Sequence, residues 1–442
     1  MRYRKGNSLA EGKTKIIWKV QGKPDLVIIE SKNAITKFDD PSKTKKFATK
    51  AVCSTTTTCR VFELLKKAGI PVAYLEQISD TEFLAQRCTM IPLEVVARRF
   101  ACGGFLKRHP EIMFTEGQAP SRFHRLLIEF FLKTTKGKLI VQGKTLVDGL
   151  DAKKKEEDPF IENPYSENWK LLNSKKPSWD LQVDLKRTIK ASLILQNRSH
   201  ETIGKMENIL REVFLVLEGA WNILGFHLID IKIEFGIARG SNRFLLADVL
   251  DSDSWRLQNE EWEELSKEAF RQNEALSKVE QNYGLVASLT KQFRVPKQAL
   301  VLWRGSPKDK FLDIKAPFSK SRGVDIIEVT LSGHKKTRQC LDKLNEILRD
   351  YPDGGVIVAK IGRSNGLAPM LAAHSSWQVI AIPATMEKSP EDIWSSIRMP
   401  SLVPLVTAWP EKNALLAAMN ILAAKNPLLY MWRQKQIEEL DI

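Results

Sequence analysis

Hydrophobic and polar positions follow two different grammars along this chain, changing near residue 298. Before that point most apolar runs alternate with polar residues. The clearest case is IDIKIEFGIARGSNRFLLADVLDSDSWR, residues 229–256, which predicts strands over 229–237 and 243–249 joined by the glycine-containing turn 238–242. Upstream, a hairpin is predicted over 15–20 and 26–30, closing at Gln21-Gly22-Lys23-Pro24. Residues 51–68 follow as a helix capped by Gly69 before Pro71. The segment 88–96, CTMIPLEVV, is apolar and interrupted by Pro92, which predicts an edge strand or hinge. Residues 133–176 lose periodicity and read as a mobile surface insertion. Helical spacing returns over 183–197 and 199–224, and again over 260–292, a long amphipathic helix expected to bridge two domains.

After residue 298 the apolar runs 299–303, 326–330, 355–359 and 379–382 are hydrophobic throughout and alternate with helical segments 336–350, 367–374 and 411–424. Such runs predict a parallel sheet covered on both faces. A chain of 442 residues, 43% hydrophobic, exceeds one ordinary core. The expected division is a domain at 1–275, a linker helix at 276–297 and a second domain at 298–442.

Composition narrows the function. No apolar run approaches the roughly 20 residues that span a bilayer, and the first residues carry no apolar core of a signal peptide. Five scattered cysteines without a CxxC pair point to reduced thiols in the cytosol and no zinc site. A net charge of +15 calls for anionic partners, yet no recognisable nucleic-acid module organises it, so nucleotides and phosphorylated metabolites are the expected ligands.

Candidate chemistry gathers at turns. Lys232 and Glu234 share a strand face, and Asp248, Asp251 and Asp253 follow closely. Such acids suit a divalent cation carrying nucleotide phosphates, or else a solvated hairpin tip paired with Lys232 and Arg256. Glu11-Gly12-Lys13-Thr14-Lys15 is either a phosphate-covering turn or an ordinary one. Arg98, Arg99, Lys107 and Arg108 surround Gly103 and Gly104 and would clamp a phosphate or form a basic exposed turn. In the second domain, the loops at the carboxyl ends of the predicted strands, 304–309, 331–335 and 360–366, combine glycines with hydroxyls and cations and suit a sugar phosphate. His334 is the one histidine among them, a proton carrier or a structural residue.

Taken together, EGKTK (11–15), MIPLEVVARR (90–99), GFLKR (104–108), KIEFG (232–236), LADV (246–249), DSDSWRL (251–257), SGHK (332–335), GRSNGL (362–367) and WSSIRMPS (394–401) resemble the bifunctional purine-biosynthesis family joining SAICAR synthetase to AIR carboxylase. The resemblance implies an α+β, ATP-grasp-like synthetase followed by a three-layer, flavodoxin-like carboxylase. ATP would activate the carboxylate of carboxyaminoimidazole ribotide as an acyl phosphate, and the amine of L-aspartate would displace it. By the same resemblance Lys13 and Lys15 contact ATP phosphates, Met90, Ile91 and Leu93 line the adenine, and Glu234 and Asp248 hold Mg²⁺. Arg98, Arg99, Asp253, Ser254 and Arg256 hold the ribotide, with Lys232 and Lys267 catalytic. The carboxylase would add CO₂ to aminoimidazole ribotide without biotin or ATP. Ser306, Asp309, Ser332, Lys335, Gly362, Arg363, Ser364 and Asn365 would bind that ribotide, and His334 would move the proton. Family members are homo-octamers.

The sequence departs from the pattern at Gly104, where a serine is expected, at Ser266, and in the carboxylase half at Pro307, Lys308, Gly333 and Trp377. The family's acidic segment near ATP aligns equally with Glu157-Asp158-Pro159 and with Lys175-Lys176-Pro177, the latter replacing a carboxylate by a cation. These departures define an alternative reading, a paralogue that has lost one or both activities and serves as a scaffold, ligand-binding or structural protein. They predict that the carboxylase half is the more affected.

Overall fold

The computed structural model describes residues 3–36, 44–112, 119–154, 156–195, 201–312 and 318–440. The chain divides into two compact units, Met1–Phe293 and Arg294–Ile442.

The first unit is α+β, built on two antiparallel sheets. One has five strands in the spatial order Lys5–Glu11, Lys15–Val20, Lys23–Ser31, Glu82–Gln86, Tyr74–Gln77. The other runs Asp184–Lys190, Asn168–Leu172, Phe160–Ile161, Arg122–Leu132, Cys88–Phe100, His227–Ala238, Phe244–Ala247, with Trp255–Gln258 also paired to His227–Ala238. Strand alternation decides what each face of the second sheet does. Ile229, Ile231, Ile233 and Phe235 are buried on the side covered by the helix Glu201–Ile223. Asp230, Lys232 and Glu234 therefore project together to the opposite face.

Four expectations are corrected here. Cys88–Phe100 is a central strand, flanked by Arg122–Leu132 and His227–Ala238, and Pro92 is tolerated because it falls where the register with His227–Ala238 shifts, between Glu94 and Met90. Residues 133–176 are not a loose insertion. Their described part contributes the strands Phe160–Ile161 and Asn168–Leu172 to the sheet and buries Trp169 and Leu171 completely. Residues 184–190 form a strand, since Ile189 and Trp169 pair across the sheet, and only Ala191–Ile194 is helical. The predicted helix ends at 196–200 lie outside the described residues. Finally, 260–292 is not one helix. Ser266 caps Lys267–Arg271, Asn273 adopts a left-handed φ of 70°, and a second helix, Leu276–Thr290, packs on Lys50–Lys67. The apolar stripe skips a turn at Gln272 because the helix stops there.

The second unit is the expected three-layer α/β fold. Its five parallel strands are Gln298–Arg304, Val324–Thr330, Gly355–Ile361, Gln378–Pro383 and Leu405–Thr407. Numbered along this unit, their spatial order is 2-1-3-4-5, the flavodoxin-like order. One core packs the helices Thr337–Asp350 and Leu367–Ala373 on one face, and another packs Glu411–Ala423 and Pro427–Glu439 on the other. The fifth strand and the last helix were not predicted, being only three residues long and weakly patterned respectively.

Candidate active sites

Cys88–Phe100 and His227–Ala238 pair with Asp230 opposite Arg98 and Glu234 opposite Glu94. Their shared polar face carries a line of charges, roughly 13 Å from position 230 to 234 at strand rise. At the Glu234 end, Lys232 Nζ donates to Glu94 Oε1 (2.6 Å), Lys133 pairs with Glu234, and Lys15 pairs with Asp248. Glu234 is opposite Ala247, where that strand ends; Asp248 follows with a left-handed φ of 72°, and Lys15, its partner, also feels the Glu234 charge. Burial opposes charge on Glu234, yet Lys133, Lys232 and Lys15 hold its carboxyl below the ordinary range. Burial drops Lys15 to about 8. Asp158 joins this cluster, accepting from Thr134 N (2.7 Å), and burial with neighbouring Glu94 raises it to about 6. Of the two segments that align with the family's acidic one, Glu157-Asp158-Pro159 brings a carboxylate to this end, whereas Lys175 lies by the arginines at the other.

The Lys13 turn sits above this end. Gly12 N donates to Lys15 O (2.9 Å), and Lys32 reaches Gly12 O (3.1 Å) and Glu11 (2.7 Å), leaving Lys13 exposed at the tip. Of the three predicted adenine-lining residues, Met90 is exposed on the polar face while Ile91 and Leu93 alternate to the buried face. Asp251 and Asp253 do not converge with Glu234. They close on the fully buried Lys50, at 3.9 and 3.4 Å, and Asp253 also meets Lys267 (3.5 Å) and the Tyr283 hydroxyl. Ser254 Oγ donates to Val249 O (3.1 Å), closing the turn that carries them.

At the other end Asp230 accepts from Arg98 and from Arg256 Nη1 (2.6 Å). Glu129 binds Arg98 Nε (2.6 Å) and Arg108, and Glu268 binds Arg256 Nη2 (3.2 Å). Gly103 is required here. It has φ of 55°, and a Cβ on it would lie 2.5 Å from the Arg256 guanidinium. Arg99 is not part of this cluster. Alternation sends it through the sheet, where it is fully buried, pairs with Glu218 (2.7 Å) and donates to the carbonyls of Phe123 and His124. Sequence reasoning missed Glu94, Glu129, Lys133 and Asp230, and left Asp158 as one of two alternatives. Glu94 and Asp230 were reachable by extending the period-two pattern, the others only through pairing.

In the second unit the loops after strands one, two and three come together at the point where strand order reverses. The His334 ring lies against Gly366, where a Cβ would be 2.3 Å from Nε2, and Gly333 packs so closely that a Cβ would be 2.7 Å from Leu367 Cα. Gly333 therefore tightens this loop against its neighbour. Lys336 N donates to Ser332 O (2.9 Å), Lys335 N to Ser332 Oγ (3.4 Å), and Thr337 Oγ1 to Gly333 O (2.5 Å). In the first loop Lys308 N and Asp309 N donate to Ser306 Oγ (3.3 Å) and O (3.1 Å) around exposed Pro307. Asn365 is buried, donating to Ser396 Oγ (3.0 Å) and accepting from Ala368 N (3.1 Å), so it holds the loop. Arg363 and Ser364 are exposed beside Gly362. The Trp377 indole lies by Gly355 at the amino ends of the strands, where a Cβ on Gly355 would be 2.2 Å from its ring, and not among these loops.

Comparisons with known proteins agree with this division. A family model described as SAICAR synthetase matches residues 8–159 and 173–288, and one described as AIR carboxylase matches 307–439. The chain is 34% identical over 435 residues to "Probable multifunctional protein ADE2" of Caenorhabditis elegans, covering 96% of this chain and 91% of that protein. It is 30% identical over 453 residues to "Bifunctional phosphoribosylaminoimidazole carboxylase/phosphoribosylaminoimidazole succinocarboxamide synthetase" of Drosophila melanogaster, covering 99% and 93%. The human protein of that name is 29% identical over 442 residues, covering 96% and 92%. With both halves matched in order and relatives aligned from end to end, this chain belongs to the bifunctional AIR carboxylase/SAICAR synthetase family.

Proposed function

We propose that the first unit joins carboxyaminoimidazole ribotide to L-aspartate at the expense of ATP, and that the second makes that ribotide by carboxylating aminoimidazole ribotide. The observation that carries the ligase reading is the charged line on one strand-pair face, with a lysine-rich acidic cluster at one end and an arginine cluster at the other. A carboxylate oxygen of the ribotide attacks the γ-phosphorus as its bond to ADP breaks, and the aspartate amine then attacks the acyl carbon and expels phosphate. Lys13 and Lys15 meet phosphate oxygens, Lys133 and Lys232 hold the acids in register, and Arg98 and Arg256 face the ribotide. Asp253, Ser254 and Lys267 shape the turn beside them, where Tyr283 and Lys50 fix the Asp253 carboxylate.

Among the described residues no cluster of three or more His, Cys, Asp or Glu forms a metal cage. Glu234 and Asp248, each paired with a lysine and both acting on Lys15, would hold Mg²⁺ that also takes oxygens from a nucleotide. When bound, the ion neutralises charge on the transferred phosphoryl group.

For the carboxylase, His334 on Gly366 is placed to take the proton from the ring carbon that gains CO₂, with Ser306, Asp309, Ser332, Lys335, Gly362, Arg363 and Ser364 around the phosphoribose. Asn365 acts by positioning the 362–366 loop. The Trp377 indole lies by Gly355 at the amino ends of the strands, away from these loops, which supports an intact carboxylase. The unit also exposes Trp394, Ile397, Leu402 and Val406, apolar surface that supports assembly into a homo-octamer. Among the described residues no helix is long and apolar enough to cross a membrane.

Purified chain with ATP, Mg²⁺, L-aspartate and carboxyaminoimidazole ribotide should yield succinocarboxamide, and with aminoimidazole ribotide and bicarbonate it should yield carboxyaminoimidazole ribotide. Absence of either product at high enzyme concentration removes the corresponding half of the reading.

A further inference from the structure

We propose that Lys175 is a phosphate-binding residue of the ligase, supplying the unpaired cation that meets the 5′-phosphate of the ribotide. The inference rests on the ligase reading above and adds a residue to it.

The Lys175 ammonium lies 3.4 Å from where a Cβ on Gly104 would sit, and Arg108 Nη1 lies 3.6 Å from the same point. Arg98, Arg108, Lys107 and Arg256 all repel it. Among the described residues no carboxylate pairs with it. Its neighbours are largely neutralised, because Asp230, Glu129 and Glu268 serve Arg98, Arg108 and Arg256. Glu268 is moreover shared with Arg271, so the cluster keeps a net positive charge suited to an anion. The position is also built. Ser174 O accepts from Arg108 Nη1 (3.1 Å), Lys175 N donates to Asn173 Oδ1 (3.0 Å), and Asn173 N donates to Val183 O (2.7 Å). An ammonium held against four like charges is stabilised by an arriving anion, and the exposed side chain is open to one.

Lys175 is exposed at the surface, but desolvation around its ammonium, reinforced by those four cations, brings it down to about 8. Its charge is present below that pH and lost above it, so anion binding weakens as pH rises through 8. The groups facing it are Lys107, Arg98, Arg108 and Arg256, with Glu129 and Asp230 behind; none of the arginines loses its proton in that range.

The test uses the full chain with Lys175→Met and Lys175→Arg. Ribose 5-phosphate, titrated calorimetrically at pH 7, should bind Lys175→Met at least about tenfold more weakly than wild type, the scale of a lost charge-assisted hydrogen bond. Lys175→Arg should bind within about threefold of wild type and lack the weakening above pH 8. In turnover, the KM for ribotide should rise in Lys175→Met while kcat and the KM values for ATP and aspartate stay put. Equal binding of ribose 5-phosphate by wild type and Lys175→Met overturns the assignment. A shift confined to the aspartate KM also overturns it, by moving the contact to aspartate's carboxylates. Wild type that binds ribose 5-phosphate through Lys175 but makes no succinocarboxamide would sink the ligase reading and leave this one standing.

Discussion

At the scale of single residues, the period-two rule sorts side chains that the sequence presents as equals. Arg98 and Arg99 are neighbours, yet one faces Asp230 and the other Glu218 on the far side of the sheet. Removing Arg99 leaves Glu218 buried and unpaired, which costs about 3–5 kcal/mol. Arg99→Met should therefore lower the melting temperature sharply, and enzyme that still folds should retain the wild-type KM for ribotide, as steady-state kinetics will show. Lys15 carries the opposite kind of prediction. Burial sets it at about 8 in the free protein, so it is charged below that pH and neutral above. If it meets ATP phosphates, kcat/KM for ATP should fall as pH rises through 8, and Lys15→Arg should abolish that fall.

Whole elements were legible where their periodicity was undisturbed. The two strands around Glu234, the helix Lys50–Lys67 and the first four parallel strands were readable because each buries one face or both. The failures share a cause, namely that pairing partners far away in sequence outweighed local pattern. Charged Asp184–Lys190 becomes a strand because Asn168–Leu172 pairs with it, and Pro92 is admitted to a central strand by a register shift. Of the candidate sites, the residue types were visible in the sequence, but not which acid meets which lysine. Asp251 and Asp253 belong with Lys50, and Lys133 with Glu234. Loop geometry in the second unit gives a sharper test. A methyl on Gly366 would collide with the His334 ring, since its Cβ would lie 2.3 Å from Nε2. Gly366→Ala should reduce carboxylation by a hundredfold or so, the cost of misplacing a reacting group by about 1 Å, while ligation continues unchanged.

For the whole molecule, two compact units with separate candidate sites imply separable chemistry. His334→Asn should abolish carboxylation and leave ligation of supplied carboxyaminoimidazole ribotide intact, as separate assays of the two half-reactions will show. Light scattering should give a mass about eight times the 50.3 kDa of one chain. A monomer would remove the octamer from this account and leave the sites untouched.

The central claim is that the Glu234 and Asp248 carboxylates, paired with Lys133 and Lys15 respectively, organise ATP for ligation. Its most direct test compares wild type with Glu234→Gln for ADP and succinocarboxamide formed from ATP, Mg²⁺, L-aspartate and carboxyaminoimidazole ribotide. The prediction is one ADP per succinocarboxamide for wild type and a loss of at least about a hundredfold in kcat for the variant, the scale of one preorganised electrostatic contact. Equal rates in the two proteins, or no product from wild type, would contradict it.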